Sequence, residues 1–157
     1  MEYLTKRSEE TRELGKKLVK DFLESEKNRT GAIVISLEGD LGAGKTTFTQ
    51  GFASGLGMGN WIKSPTFILM REHTVSHLPD DESGSLGSSI QKLVHIDCYR
   101  LTKPEALFDI GLKDLFNDPK NIVLIEWGER LGDHLPLDVI RIKFDHLEKS
   151  ERNIKIS

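Results

Sequence analysis

Apolar residues recur every three to four positions in residues 8–24. Leu14, Leu18 and Phe22, with Val19 and Leu23 beside them, fall on one face and predict an amphipathic helix. Its start reads as Ser8 capping the first turn, with Glu9 and Glu10 set against the helix dipole. The period then changes. Residues 32–37 (Ala-Ile-Val-Ile-Ser-Leu) are β-branched and almost wholly apolar, as a strand covered on both faces must be. A glycine-rich turn leads into residues 47–56, where Phe48, Phe52 and Leu56 at four-residue spacing predict a second helix. Strand-like runs follow at 66–70, 93–96, 122–125 and 139–144, with short helical pieces at 104–108 and 113–116. Strands alternating with helices predict an α/β fold with a mainly parallel central sheet flanked by helices and C-terminal strands running antiparallel. Residues 74–91, rich in Ser, Gly and Asp and without a period, read as an exposed, mobile insertion loop.

Composition narrows the class. The 157 residues fit one domain, 1–157, large enough to bury about 70% of its unfolded surface without disulfides or metals. With 37% hydrophobic residues and 14 glycines the chain is globular in composition, and no apolar run approaches the roughly 18 residues of a membrane span. The charged, helix-like start lacks the apolar core of a secretory signal, and the single Cys98 suits a reducing compartment, so a cytoplasmic location is expected. Cys98 itself reads as a small apolar filler. A net charge of −3 argues against a direct grip on a nucleic-acid backbone.

The chemistry concentrates at Gly39-Asp40-Leu41-Gly42-Ala43-Gly44-Lys45-Thr46, a full G-x-x-x-x-G-K-[ST] pattern placed after a buried strand and before a helix. Glycines let backbone amides turn inward as a cup of donors, and the helix that follows offers its positive end to the same anion. Lys45 would supply charge to the β- and γ-phosphates and Thr46 a hydroxyl to Mg²⁺. The alternative, a turn that is merely glycine-rich, would match by chance in roughly one such chain in a hundred or fewer. The fold expected is therefore P-loop NTPase-like. Two strand-end acids are candidates for the metal or for water: Glu126, after Ile-Val-Leu-Ile, and Asp97, after Leu-Val-His-Ile. Either could instead cap a strand or pair with Arg71 or Arg100. His95, taken to point away from Asp97, reads as sheet packing. Lys63-Ser64-Pro65-Thr66-Phe67 stands where switch-type NTPases keep a γ-phosphate-sensing threonine, although alone it is only a proline-led strand start.

These residues together form a pattern. Residues 37–47 (Leu-Glu-Gly-Asp-Leu-Gly-Ala-Gly-Lys-Thr-Thr), 63–67, 95–101 (His-Ile-Asp-Cys-Tyr-Arg-Leu) and 125–127 (Ile-Glu-Trp), in this order and at these spacings, resemble the bacterial TsaE (YjeE) family of small P-loop ATPases. Residues 9–15 and 104–112 extend the resemblance over almost the whole chain. It implies a slow, Mg²⁺-dependent ATPase that serves threonylcarbamoyladenosine formation at tRNA position 37 as partner of TsaD and TsaB, meeting tRNA only through that complex and no membrane. Carried over by position, Lys45 and Thr46 hold phosphate and Mg²⁺ with Asp40, Leu41, Gly42, Ala43, Gly44 and Thr47 around them. Glu126 is the second metal contact, and Asp97 and Thr66 serve hydrolysis and switching. Trp127 belongs to the nucleotide pocket, and Ser8 and Arg152 lie near the base. Two departures stand out: Gly128 replaces the proline that usually follows Ile-Glu-Trp, which is expected to loosen the turn, and the 74–91 insertion is long.

Two other P-loop classes fit less well. A small-molecule kinase would want lid arginines, whereas Arg71, Arg100 and Arg130 are scattered. A GTPase would need an N-K-x-D motif, and the sequence has none.

Overall fold

The structure, a computed structural model, describes residues 1–25, 28–59, 70–75, 90–109, 111–147 and 150–157. Its elements in chain order are β1 (Glu2–Thr5), α1 (Ser8–Ser25), β2 (Ile33–Gly39), α2 (Lys45–Gly55), β3 (Met70–Thr74), β4 (Lys92–Asp97), α3 (Glu105–Asp109), α4 (Leu112–Asn117), β5 (Asn121–Glu126), a 3₁₀ segment (Gly128–His134), β6 (Ile140–His146) and β7 (Arg152–Ile156). One seven-stranded sheet runs in the order β1-β7-β6-β2-β5-β4-β3. Its centre is parallel: β2 lies between β5 and β6, and β4 flanks β5. Both margins turn antiparallel, through β6–β7–β1 on one side and β4–β3 on the other. This is the expected α/β architecture, with its C-terminal strands antiparallel as anticipated.

Strand alternation divides the core in two. Ile33, Ile35 and Leu37 of β2 face α1 and α2, where Leu18, Phe22, Phe48, Phe52 and Phe144 complete one cluster. Val34, with Val94, Ile96, Val123 and Ile125, faces α3, α4 and the 3₁₀ segment. Phe48 of α2 meets Phe144 of β6 edge-on, with ring centroids 5.7 Å apart. That contact ties the helix to β6, while its backbone lies over β2 and β5. Helices α1 and α2 pack at backbone distance. A Cβ at Gly15 would lie 2.5 Å from the Phe48 carbonyl oxygen, and one at Gly51 would overlap the Arg12 carbonyl. Only glycine admits that approach.

Local differences from the sequence reading have identifiable causes. Helix α1 includes Ser8, so the preceding Arg7 is its cap: the Arg7 carbonyl accepts from the Thr11 amide, and Glu10 reaches back to accept from the Lys6 amide at 2.7 Å. Strand β1, only four residues long, forms by pairing with β7, and the pattern at 2–5 gave no sign of it. Of the strand expected at 66–70 only Met70 lies within the described residues, where it opens β3. Of the loop expected at 74–91, residues 76–89 lie outside the described residues; at its margins Thr74 pairs with Lys92, Val75 and Ile90 are buried in the core, and the Val75 amide donates to the Gln91 carbonyl. Among the described residues no helix is long and apolar enough to cross a membrane.

Candidate nucleotide site

The glycine-rich loop joins the carboxyl end of β2 to the amino end of α2, at the edge where the parallel strands β2, β4 and β5 end. Three of its glycines have positive φ, and the two at its ends join it to the strand and the helix. Gly39 has φ 133° and Gly44 has φ 105°, left-handed values that other residues adopt only under strain. Gly44 is the cap of α2, so the helix starts with Lys45 in its first turn, two residues earlier than its apolar spacing indicated. Asp40, Leu41 and Gly42 are exposed at the apex of the loop, Ala43 is buried, and Thr46 and Thr47 stand half-buried in the first turn of the helix.

Lys45 is buried. Its Nζ donates to the carbonyls of Gly39 at 2.6 Å and Asp40 at 2.8 Å, and it lies 3.8 Å from the centroid of the Trp127 ring. Burial pulls its pKa below the usual lysine value, against the opposing pull of Glu126, Glu129, Asp40 and Asp97. Trp127 can face the lysine because it leaves β5 in a left-handed conformation (φ 61°, ψ 38°), alone in this among the described non-glycine residues. Its amide donates to the Leu37 carbonyl at 2.9 Å, which ties that turn to β2. Tyr99 packs on the indole at 5.1 Å, and the Arg130 guanidinium lies 5.6 Å from it. Gly128 does not loosen this turn. It is buried against Ser36 of β2, where a Cβ would overlap the serine hydroxyl.

Glu126 ends β5 and is 3% exposed. Its Oε2 accepts from Thr46 Oγ1 at 2.7 Å; its Oε1 is 3.0 Å from His95 Nε2 and 3.3 Å from Thr49 Oγ1. Asp97 stands opposite Glu126 in the β4–β5 register and accepts from the Tyr99 amide at 2.9 Å. Burial raises its pKa above the ordinary carboxylate value, with Glu126 adding to the effect and the Tyr99 amide opposing it. Cys98 is buried and its thiol is pushed up to about 12 by burial, consistent with an inert filler.

On the other side of the loop, Arg152 of β7 lies over Gly44. A Cβ on that glycine would be 2.8 Å from Arg152 Nε, a buried atom with no hydrogen-bond partner among the described residues, and 3.7 Å from Thr11 Cγ2. Ser8 lies one turn before Thr11 on α1. The structure thus brings together Lys45, Thr46, Glu126, Asp97 and Trp127, and sets Arg152 and the first turn of α1 behind the loop. Thr66 lies outside the described residues.

Two further residues touch Glu126: His95, which the sequence reading assigns to sheet packing, and Thr49, which it does not single out. Residues 95 and 97 are two apart on one strand and so share a face, which corrects the reading that His95 points away from Asp97. Thr49 is one turn beyond Lys45 on α2 and its hydroxyl also donates to the Lys45 carbonyl at 3.0 Å. The signals were present: alternation in His95-Ile96-Asp97, and four-residue spacing on the helix.

The oxygen set fits a hard divalent cation. Mg²⁺ is typically held by one or two carboxylates with substrate phosphates, at about 2.0–2.1 Å, so adjacent ligand oxygens lie about 2.9 Å apart. Thr46 Oγ1 and Glu126 Oε2, 2.7 Å apart, approximate such an edge.

The fold and this site define the P-loop NTPase-like class of α/β proteins. The chain belongs to the TsaE family: the family described as "Threonylcarbamoyl adenosine biosynthesis protein TsaE" matches residues 5–154. Three relatives named tRNA threonylcarbamoyladenosine biosynthesis protein TsaE are similar to it. That of Bacillus subtilis is 37% identical over 77% of this chain and 66% of its own length. That of Haemophilus influenzae is 38% identical over 80% and 70%, and that of Streptomyces coelicolor 37% over 85% and 78%. The crystal structure of Bacillus subtilis YdiB superimposes with a TM-score of 0.69 at 29% identity, covering 99% of this chain and 83% of that one.

Proposed function

We propose that this protein binds and hydrolyses ATP in the presence of Mg²⁺ in support of tRNA N6-threonylcarbamoyladenosine formation, acting on a TsaB–TsaD-like complex and not on the tRNA directly. The observation that carries the proposal is the junction of Lys45, Thr46 and Glu126 at the start of α2, with Thr46 Oγ1 donating to Glu126 Oε2 at 2.7 Å. The loop amides and Lys45 bind the phosphates, with Arg152 Nε an unsatisfied donor behind them. Thr46 and Glu126 hold the cation. Mg²⁺, when bound, neutralises charge on the transferring phosphoryl group. Asp97 keeps one oxygen on the Tyr99 amide and has the other to orient water and accept its proton; its raised pKa suits a base. Trp127 covers Lys45 and restricts water around the phosphates. Thr66 is the proposed γ-phosphate sensor, coupling ATP to the partner-bound state.

Titration with labelled ATP, with and without Mg²⁺, tests this reading. Lys45→Ala should weaken ATP binding and abolish turnover. Glu126→Gln should keep ATP binding and lose Mg²⁺-dependent turnover. Unchanged turnover in Glu126→Gln would refute the assignment.

A further inference from the structure

The carboxylate of Glu126 is held unequally. Among the described residues its Oε2 meets only the Thr46 hydroxyl, which keeps lone pairs for a cation, while Oε1 faces into the protein toward His95 and Thr49. We propose that His95 is a positioning residue: by holding Oε1 it fixes which oxygen of Glu126 is presented to the divalent cation. The inference rests on the Mg²⁺–ATP reading of the site.

Register and burial both support it. In the parallel β4–β5 ladder Asp97 pairs with Glu126 and His95 with Leu124, so the imidazole stands on the face of the carboxylate, two pairs below it. His95 and Glu126 are 1% and 3% exposed, so neither can take a partner from water in place of the other. A carboxylate only accepts, hence Nε2 carries the hydrogen. Thr49 cannot substitute for it. Its single proton is shared between Oε1 at 3.3 Å and the Lys45 carbonyl at 3.0 Å, whereas the 3.0 Å contact of His95 is undivided. With the imidazole gone, Glu126 can rotate about its terminal torsion and lose the Oε2–Thr46 pairing.

The test compares His95→Leu, which removes the donor, with His95→Gln, which returns an N–H donor on a flexible chain. Mn²⁺ uptake is followed by EPR with a non-hydrolysable ATP analogue, beside analogue affinity in EDTA and thermal unfolding. His95→Leu should weaken Mn²⁺ binding by about 10–100-fold, the usual effect of removing an outer-shell partner, with analogue affinity in EDTA unchanged. His95→Gln should recover most of the loss. Equal loss in both variants, or wild-type Mn²⁺ binding in His95→Leu, would overturn the proposal and leave His95 a packing residue. If His95→Leu does not fold, His95→Met replaces it in the same comparison. The wild-type arm separates this inference from the reading beneath it: wild type that binds no analogue, or binds it with no metal uptake, refutes the Mg²⁺–ATP site itself.

Discussion

Gly128→Ala probes how the turn beside Lys45 is held. A Cβ at Gly128 would overlap Ser36 Oγ and stand 2.9 Å from Ser36 Cβ and 3.2 Å from Ser36 Cα. Rotating the serine hydroxyl relieves only the first contact, and it breaks the 2.9 Å hydrogen bond from Ser36 to Glu38. The Cβ cannot retreat, because β2 is paired on both sides at this residue, with Ile125 and with Arg141. Overpacking of this kind costs about 1–3 kcal/mol. At roughly 2–4 °C per kcal/mol for a chain of this size, the melting temperature should fall by about 2–12 °C. Ser36→Gly removes both Oγ and Cβ, so the double variant should lose less than the sum of the two single changes. Thermal unfolding of all four proteins by circular dichroism measures the coupling. A Gly128→Ala protein that melts with wild type, or strictly additive losses, would refute this account. Gly128→Pro, which restores the residue expected from the family pattern, adds a ring at the same point and should cost at least as much.

Three further outcomes are expected. Because burial raises the Asp97 pKa above 3.8, the folded protein keeps this proton over a range where the unfolded chain has released it. Its contribution to stability therefore falls as pH rises from 3.8 through the folded value, and Asp97→Asn in EDTA should melt above wild type at pH 7, with the gain vanishing in acid; a gain that grows toward low pH would contradict this. Replacing residues 76–89 with a Gly-Ser link should leave the melting temperature unchanged, since the buried anchors Val75 and Ile90 are retained, and a large fall would show that the segment packs. ATP should be turned over slowly by the protein alone, in preference to GTP, and faster with a TsaB–TsaD pair than with tRNA; stimulation by tRNA alone would favour direct RNA binding.

The long elements were legible because one physical signal dominates each. The apolar face of α1 and the unbroken apolar run of β2 need no distant partner to be recognised, and both lie within two residues of their expected bounds. Marginal elements were not. Strand β1 has four residues, and its hydrogen bonds go to β7, about 150 positions away, so no local window contains the reason for it. The 3₁₀ segment bends at Gly132 (φ 50°), a turn set by packing and not by a period.

At the site the same distinction decides what could be read. Lys45 and Thr46 are fixed by a contiguous motif whose strand–loop–helix geometry follows from the glycines, so sequence alone locates them. Glu126 and Asp97 could be named as strand-end acids, yet only the β4–β5 register makes them neighbours. That register also brings His95 to the carboxylate; a slip of one residue would send its side chain to the other face of the sheet. Trp127 shows the further limit. Its left-handed backbone is what turns the ring toward Lys45, and such a conformation is a cost to any residue but glycine or asparagine. Local propensity argues against it, so only the surrounding contacts can hold it: the Leu37 carbonyl on its amide, Gly128 against Ser36, and the lysine on its ring. A residue kept against its own preference beside the phosphate loop is where substitutions that leave every motif intact should still disturb the site.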